Sequence, residues 1–518
     1  MPNRRGPLAE RSAHQDLRFS AAESPNRSGL GSVLRNPQRL EQYAIRFALV
    51  IYVLFQVNAA LHHGSWGQDF ESHKSWMTQA VADPWKFALS ADPTRPEPPL
   101  AYLMAALVVK LTGGVHYLEV IALLDVALNV IGLIVFYRLL RLVVQDRLIR
   151  IACFLFVAFL PVFMIHEVVL ATDALCVPIA AVIYYFLIKV GRERNEALIA
   201  SYLAVISCAL LIGTVIKFTF VSQGFAVLIA LAIYVWTHRL RKEQITKGFV
   251  VIALLTCLGA ALVLRSRASI EFTSTTGAEM ALSDMLLLHR HDPHILSAPP
   301  YDQLADLRDG TPVSFPYELL RQHRYSYAAL VHLGLFTDIM NIYQYDPTDN
   351  YFGPRSRSNE KRMRIAVKTS LLFSLAGLAL TAIMIAKAFY GSIIQRRSEY
   401  AEWAALAICG LGWFLNIFVF LPTVQAYVGG YWSPRLILPA LLCFTMLCAI
   451  TIDRLIVNKP KAWGQAILAV VVFQSLLQLS FLWPWGLLQG QTIQGYPQTF
   501  YRRPPAAWLD KAKPARKQ

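Results

Sequence analysis

The feature that most constrains this chain is a recurring run of apolar residues, each about 20 long, separated by short polar connections. A run of that length matches the thickness of a bilayer's hydrocarbon core when it is helical, and a helix satisfies its own backbone there. Counting such runs predicts an all-α polytopic membrane protein with about 11 transmembrane helices, within a range of about 9 to 13. Composition agrees. The 518 residues are 55% hydrophobic and only 16% charged, with a mean hydropathy of +0.42. One water-soluble globule of this length lacks the polar surface to cover so much apolar mass. Disordered, collagen-like and disulfide-scaffold classes are excluded on the same ground.

Net charge is +16, from 49 Lys and Arg against 33 Asp and Glu. In a soluble chain this balance suggests nucleic acid. Here the bases gather at the ends of apolar runs, where they act as orientation signals, so no nucleic-acid partner is expected. The seven cysteines all fall inside apolar runs and read as small buried hydrophobes, not as a disulfide framework. Residues 1–42 are polar and Arg-rich and lack the apolar core of a signal peptide, which predicts a disordered cytoplasmic tail.

The positive-inside rule then orders the rest. The first span is expected at 43–61. The run Leu100 to Leu111 is too short to cross and carries Lys110, so Pro98 to Gly114 is expected as an interfacial helix on the outer face. Spans follow near 117–139, 148–165, 168–188, 197–216, 218–236, 247–264, 365–388, 402–421, 434–452 and 463–484. The resulting organisation is an N-terminal transmembrane module over 43–264 with a first outer loop at 62–116. An outer-face loop domain of roughly 100 residues follows at 265–364, then C-terminal transmembrane helices at 365–484 and a tail at 485–518. Loops this long are exempt from the charge rule. No internal repeat of the kind built into many transporters is visible.

Candidate chemistry concentrates in the first outer loop. Asp69 and Glu71 follow directly on a span, where two carboxylates can serve as a general base and as a metal or hydroxyl ligand. The alternative is a solvated loop with ordinary acids. His289 to His294 is histidine-rich, but its spacing fits no closed zinc site. Asp125 and Glu119 lie within a span, where ionisable groups usually face the bundle interior. The aromatic segment Tyr325 to Tyr351 suits amphipathic helices that cover a cavity, or plain interfacial packing.

The order of these features resembles the GT-C superfamily of membrane glycosyltransferases. It is closest to the branch of the lipid A aminoarabinose transferases and the protein O-mannosyltransferases. One span leads to Asp69-Phe70-Glu71, then to an interfacial helix opening Pro98-Pro99-Leu100-Ala101-Tyr102, then to a span ending Arg138-Leu139-Leu140-Arg141. Thr172-Asp173-Ala174-Leu175 is similar to the family's acidic outer hairpin. Ile216-Lys217-Phe218-Thr219 is similar to its lysine-containing turn, and Tyr431 to Ala440 to its C-terminal Arg and Pro region.

This resemblance implies a transferase that moves a sugar from a polyprenyl-phosphate donor to a lipid, glycan or protein acceptor, with inversion at the anomeric carbon. The setting it implies is the bacterial inner membrane and cell envelope, with the active site on the periplasmic or extracellular face. Asp69 is implied as catalytic base, and Glu71 as its catalytic support or joint ligand of a divalent metal (Mg, Mn or Zn). Asp173, Lys217 and Arg435 are implied as substrate-binding residues. Glu97 stands where the family has His or Lys before Pro-Pro-Leu, so Arg95 or a bridging metal is expected to take over that phosphate contact. The competing readings are a transporter or flippase for a lipid-linked or anionic solute, and an oligosaccharide ligase.

Overall fold

The computed structural model describes residues 37–63, 70–89, 98–166, 172–268, 335–336, 357–417, 434–457 and 459–483. Among these residues every regular element is helical. Residues 1–36, the tail from 485 onward, the His289 to His294 cluster and almost all of the expected outer loop domain lie outside the described residues, while 37–42, expected as part of the tail, are helical.

Eight described helices are long and apolar enough to cross a membrane. In our numbering they are α1 (Pro37–His63), α5 (Tyr117–Val143), α8 (Asp173–Arg192), α9 (Glu196–Ile216), α11 (Lys242–Ala268), α12 (Arg357–Phe389), α14 (Leu438–Ile456) and α15 (Ala462–Trp483). The remaining expected spans appear as shorter pieces. The run at 148–165 is broken into α6 (Arg147–Ala158) and α7 (Pro161–His166). The break precedes Pro161, whose ring cannot occupy a helix interior without displacing the carbonyl four residues back. α10 (Phe220–Trp236) and α13 (Ala401–Leu415) are the other two. The long helices also reach further than expected: α11 runs to Ala268 and α12 starts at Arg357, so both take residues from the expected 265–364 loop.

Three small helices fill the first loop: α2 (Phe70–Ala82), α3 (Pro84–Leu89) and α4 (Leu100–Leu111). α4 covers the segment expected to lie along the interface. Its Tyr102 and Ala106 pack with Ala80 and Phe87 of α2 and α3, and its Ala105 joins Met77 and Ile121 in a second cluster that ties α2 to α5. Its other face leaves Met104, Leu107 and Leu111 exposed. One packed face and one bare apolar face on twelve residues suit a helix lying in the interface. The chain then reverses into α5 through Gly113 (φ +63°), Gly114 (φ +79°) and His116 (φ +51°). Left-handed backbone costs glycine nothing, which is why two of the three are glycine.

α8 is the most buried of the spanning helices. It packs chiefly against α5 and α9, while α10 packs on α13 and α14 packs on α12 and α13. Where α5 crosses α8, a Cβ on Gly132 would stand 2.8 Å from the Pro178 Cα. The two helices can approach this closely only because Gly132 has no side chain.

Polar contacts identify one end of the bundle. Glu402, at the start of α13, accepts a hydrogen bond from Arg192 at the end of α8 (2.6 Å) and another from Arg239 just past α10. Asp453 near the end of α14 accepts from the backbone N–H groups of Gln145 (2.9 Å) and Asp146 (2.8 Å). Arg454 lies 3.7 Å from the Trp403 ring centroid. The C-termini of α5, α8, α10 and α14 therefore meet the N-terminus of α13 here. It follows that the starts of α8, α10 and α14 and the ends of α9 and α13 gather at the opposite end.

The cysteines are free thiols. Cys153, Cys176, Cys409 and Cys443 are buried and Cys448 is half-buried. Cys208 and Cys257 are exposed on helix surfaces, contrary to the expectation that all seven are buried, because apolar helix faces in a membrane protein point to lipid as readily as to the core.

Candidate functional site

The centre of the described site is a buried ion pair between Asp173 and Lys217. Asp173 opens α8, where a carboxylate is favoured by the positive end of the helix dipole. Lys217 closes α9. Its backbone turns extended there (φ −150°, ψ 125°), and its N–H is spent on the Gly213 carbonyl at 2.7 Å. After two more residues the chain enters α10, with the Phe220 N–H on the Lys217 carbonyl at 3.1 Å. This single extended residue between two helices carries a long cationic side chain inward. The Lys217 ammonium donates to the Asp173 carboxylate, and both residues are buried.

A lysine buried among apolar helices is tolerated because an opposite charge offsets its desolvation. The pair therefore explains its own burial and also sets its chemistry. Chemically the pair presents a buried cation and a buried carboxylate side by side, one able to meet an anion and the other able to accept a hydrogen bond.

The turn is rigidly backed. A Cβ on Gly213 would stand 2.5 Å from the Phe220 ring, so the ring lies directly over the end of α9. Phe220 meets Trp413 edge-on, with centroids 5.0 Å apart at 84°. Asn416, past the end of α13, donates to the Thr219 carbonyl at 3.4 Å. The Trp413 indole N–H donates to the Leu436 carbonyl at 2.6 Å, in the short 3-10 turn Pro434–Ile437 that carries Arg435. α7 also meets that turn, and α1 reaches α7 through a hydrogen bond from the Gln56 amide to the Met164 carbonyl (2.8 Å).

The first-loop helices add a second constellation. His73 Nδ1 and the Tyr102 hydroxyl lie 2.8 Å apart, and both residues are buried. Trp76 stands edge-on to both rings, and Phe87 stands edge-on to Tyr102. α2, which begins one residue after Asp69, is in this way fastened to α4. α4 in turn meets α9, the helix that ends at Lys217.

Of the seven residues singled out from the sequence, Asp173 and Lys217 are brought into direct contact. Glu71 lies in the first turn of α2 and Arg435 in the 3-10 turn before α14. Asp69, Arg95 and Glu97 lie outside the described residues. Asp125 is buried on α5, with the Asn129 amide on its backbone carbonyl at 3.0 Å. Glu119 sits near the start of α5, 3.3 Å from His116 Nδ1. Among the described residues no three His, Cys, Asp or Glu side chains are grouped to hold a metal ion.

Two further residues of this framework are marked in the sequence by position alone: Tyr102 belongs to the Pro-Pro-Leu-x-Tyr motif, and His73 lies two residues past Glu71. Nothing marks Trp413 or Asn416 before the helices are assembled.

Residues 96–262 match the sequence profile of the dolichyl-phosphate-mannose-protein mannosyltransferase family. This bears out the GT-C resemblance read from the sequence. Similar solved structures include the oligosaccharyltransferase of Archaeoglobus fulgidus in complex with Zn and sulfate. It is 13% identical, with 85% of this chain and 52% of that chain covered at a TM-score of 0.41, so this chain spans about half its length. They also include ArnT from Cupriavidus metallidurans. Bound to undecaprenyl phosphate it is 13% identical, covering 81% of this chain and 78% of that one. In the apo state it is 14% identical, covering 80% and 78%. Both have a TM-score of 0.33. No curated protein matches the chain.

Proposed function

We propose that this chain is a multi-pass membrane glycosyltransferase of the GT-C type, and we assign it a donor, a membrane face and a mechanism. It transfers a sugar from a polyprenyl phosphate to an acceptor hydroxyl or amine at the outer face of a bacterial inner membrane. The observation that carries this reading is the buried Asp173–Lys217 pair, held at one end of the bundle beside the turn that bears Arg435.

Sidedness is supported by where the bases lie. Arg192 and Arg239 mark the end opposite Asp173. Arg138, Arg141, Arg147 and Arg150 flank the α5–α6 connection at that same end. By the positive-inside rule that end faces the cytoplasm, and the Asp173 end faces outward.

A polyprenyl-phosphate sugar keeps its tail in the bilayer and its anomeric carbon at the headgroup level, which is the level of helix ends and interfacial helices. In the proposed reaction the Asp69 carboxylate accepts the acceptor's proton as the acceptor atom forms its bond to the anomeric carbon. The bond from that carbon to the phosphate oxygen breaks, and the oxygen keeps the electron pair. One displacement inverts the configuration. Lys217 and Arg435 hold the departing phosphate dianion, which gains charge in the transition state and so is bound more tightly there than in the ground state. Asp173 keeps Lys217 oriented until phosphate takes its place. Arg95 supplies the contact that Glu97 cannot.

Asp69 and Glu71 are also the residues that would hold a divalent metal, and their oxygen donors suit Mg or Mn better than a closed zinc site. When bound, such an ion would neutralise phosphate charge.

The test is transfer itself. Purified protein incubated with radiolabelled polyprenyl-phosphate sugars and membrane extract is expected to form a new glycosidic bond, whereas a flippase or transporter forms none. Asp69→Asn is expected to abolish transfer while the protein still inserts and folds. Full activity in that variant sinks the assignment.

A further inference from the structure

We propose that Trp413 is a positioning residue that, together with Asn416, holds the Lys217 turn and the Arg435 turn at one fixed separation. The two cations are nearly 220 residues apart in the chain and belong to different helix connections. Each turn has local support: in the Lys217–Thr219 connection the Phe220 N–H is on the Lys217 carbonyl (3.1 Å) and the Ser222 hydroxyl is on the Thr219 carbonyl (2.7 Å), and the 3-10 turn Pro434–Ile437 leads directly into α14. None of these bonds links one turn to the other. The end of α13 reaches both. The Trp413 indole N–H is on the Leu436 carbonyl at 2.6 Å, and its ring is against Phe220 at 5.0 Å. Asn416 is on the Thr219 carbonyl at 3.4 Å. Trp413 is 1% exposed, so its N–H has no water to bond in exchange for Leu436, and the contact is costly to break.

A phosphate is gripped well only when its cationic partners are correctly spaced, and errors near 1 Å in such a site lower rates by about a hundredfold. A rigid helix end that touches both turns sets that spacing. The inference rests on the reading of Lys217 and Arg435 as phosphate contacts. Its purely geometric part, the coupling of the two turns, does not.

The experiment uses the full chain in lipid nanodiscs. Trp413→Phe keeps a ring against Phe220 and removes the indole donor, and Asn416→Ala removes the other link. Tyr234→Phe is the control, since it deletes a buried bond of the same kind to the Leu187 carbonyl (3.2 Å) at the opposite end of the bundle. Hydrogen–deuterium exchange is followed over residues 216–222 and 434–438, and affinity is measured with undecaprenyl phosphate as the probe. In Trp413→Phe, exchange is expected to rise in 434–438. In Asn416→Ala it is expected to rise in 216–222. In the double variant it rises in both, with undecaprenyl phosphate bound about tenfold more weakly. Tyr234→Phe is expected to lower thermal stability comparably and to leave all three readouts unchanged.

Unchanged exchange in 434–438 overturns the coupling. Raised exchange with undecaprenyl phosphate bound as in the wild type overturns the role in phosphate binding. So does weakened binding that Tyr234→Phe reproduces. If the wild type itself does not bind undecaprenyl phosphate, the donor reading fails, and the exchange measurements still decide whether Trp413 couples the turns.

Discussion

Lys217 illustrates how little a residue's identity says before its partner is known. A lysine at a helix junction ordinarily snorkels to the membrane surface. Here it is buried and paired with Asp173. Breaking such a pair from one side leaves the other charge buried alone, at a cost of about 3–5 kcal/mol. Lys217→Met is therefore expected to lower thermal stability sharply. Asp173→Asn, which leaves a hydrogen-bonding partner, is expected to cost less and still to impair transfer. A double-mutant cycle on the melting temperature checks this, and additive losses would mean that the two side chains do not interact. Tyr102→Phe tests the neighbouring constellation at the same scale. It deletes the hydroxyl 2.8 Å from His73 and is expected to cost about 1 kcal/mol of stability. If α2 positions Asp69 for catalysis, kcat falls as well, and the two losses are separated by comparing melting curves with initial rates.

At the scale of elements, the helix junctions are held by missing side chains as much as by present ones. Gly213→Val adds a branched side chain whose Cβ alone would stand 2.5 Å from the Phe220 ring. It is expected to displace the start of α10 and to destabilise by about 1–3 kcal/mol, with a visible change in exchange at the Lys217 turn. The opposite end behaves differently. Glu402 binds Arg192 and Arg239 far from the proposed chemistry. Glu402→Gln is expected to lower the melting temperature, at a cost of about 2 kcal/mol, while transfer per folded molecule stays at the wild-type level. Loss of specific activity there would show that the two ends are coupled. The break between α6 and α7 is a third element-level feature. Pro161 could be seen in the sequence, but that it divides a span into two helices, with α7 delivered to the Pro434–Ile437 turn, depends on the packing around it.

Over the whole molecule, the proposed topology places the Asp173 end outward and the Glu402 end in the cytoplasm. In a variant without its own cysteines, a cysteine introduced at Ser398 is expected to react with a membrane-impermeant maleimide only after the cells are opened. One introduced at Thr311, in the expected outer loop, is expected to react in intact cells. The reverse pattern would invert the protein and remove the outer-face site. What the amino-acid sequence determined alone was the solvent each segment requires: apolar runs long enough to span, bases at their ends, and a twelve-residue run too short to cross. These follow from local composition, because the cost of leaving a backbone or a charge in hydrocarbon is paid by each segment independently. The motif order around Asp69 to Arg141, and the residues Asp173 and Lys217, were singled out differently, through their resemblance to the GT-C superfamily. That Asp173 and Lys217 form a pair, that Glu402 gathers two arginines, and that Trp413 reaches both Phe220 and the Leu436 carbonyl were decided only by the tertiary structure. Such contacts join residues tens to hundreds of positions apart, and their strength depends on exclusion of water by helices that no single segment can specify.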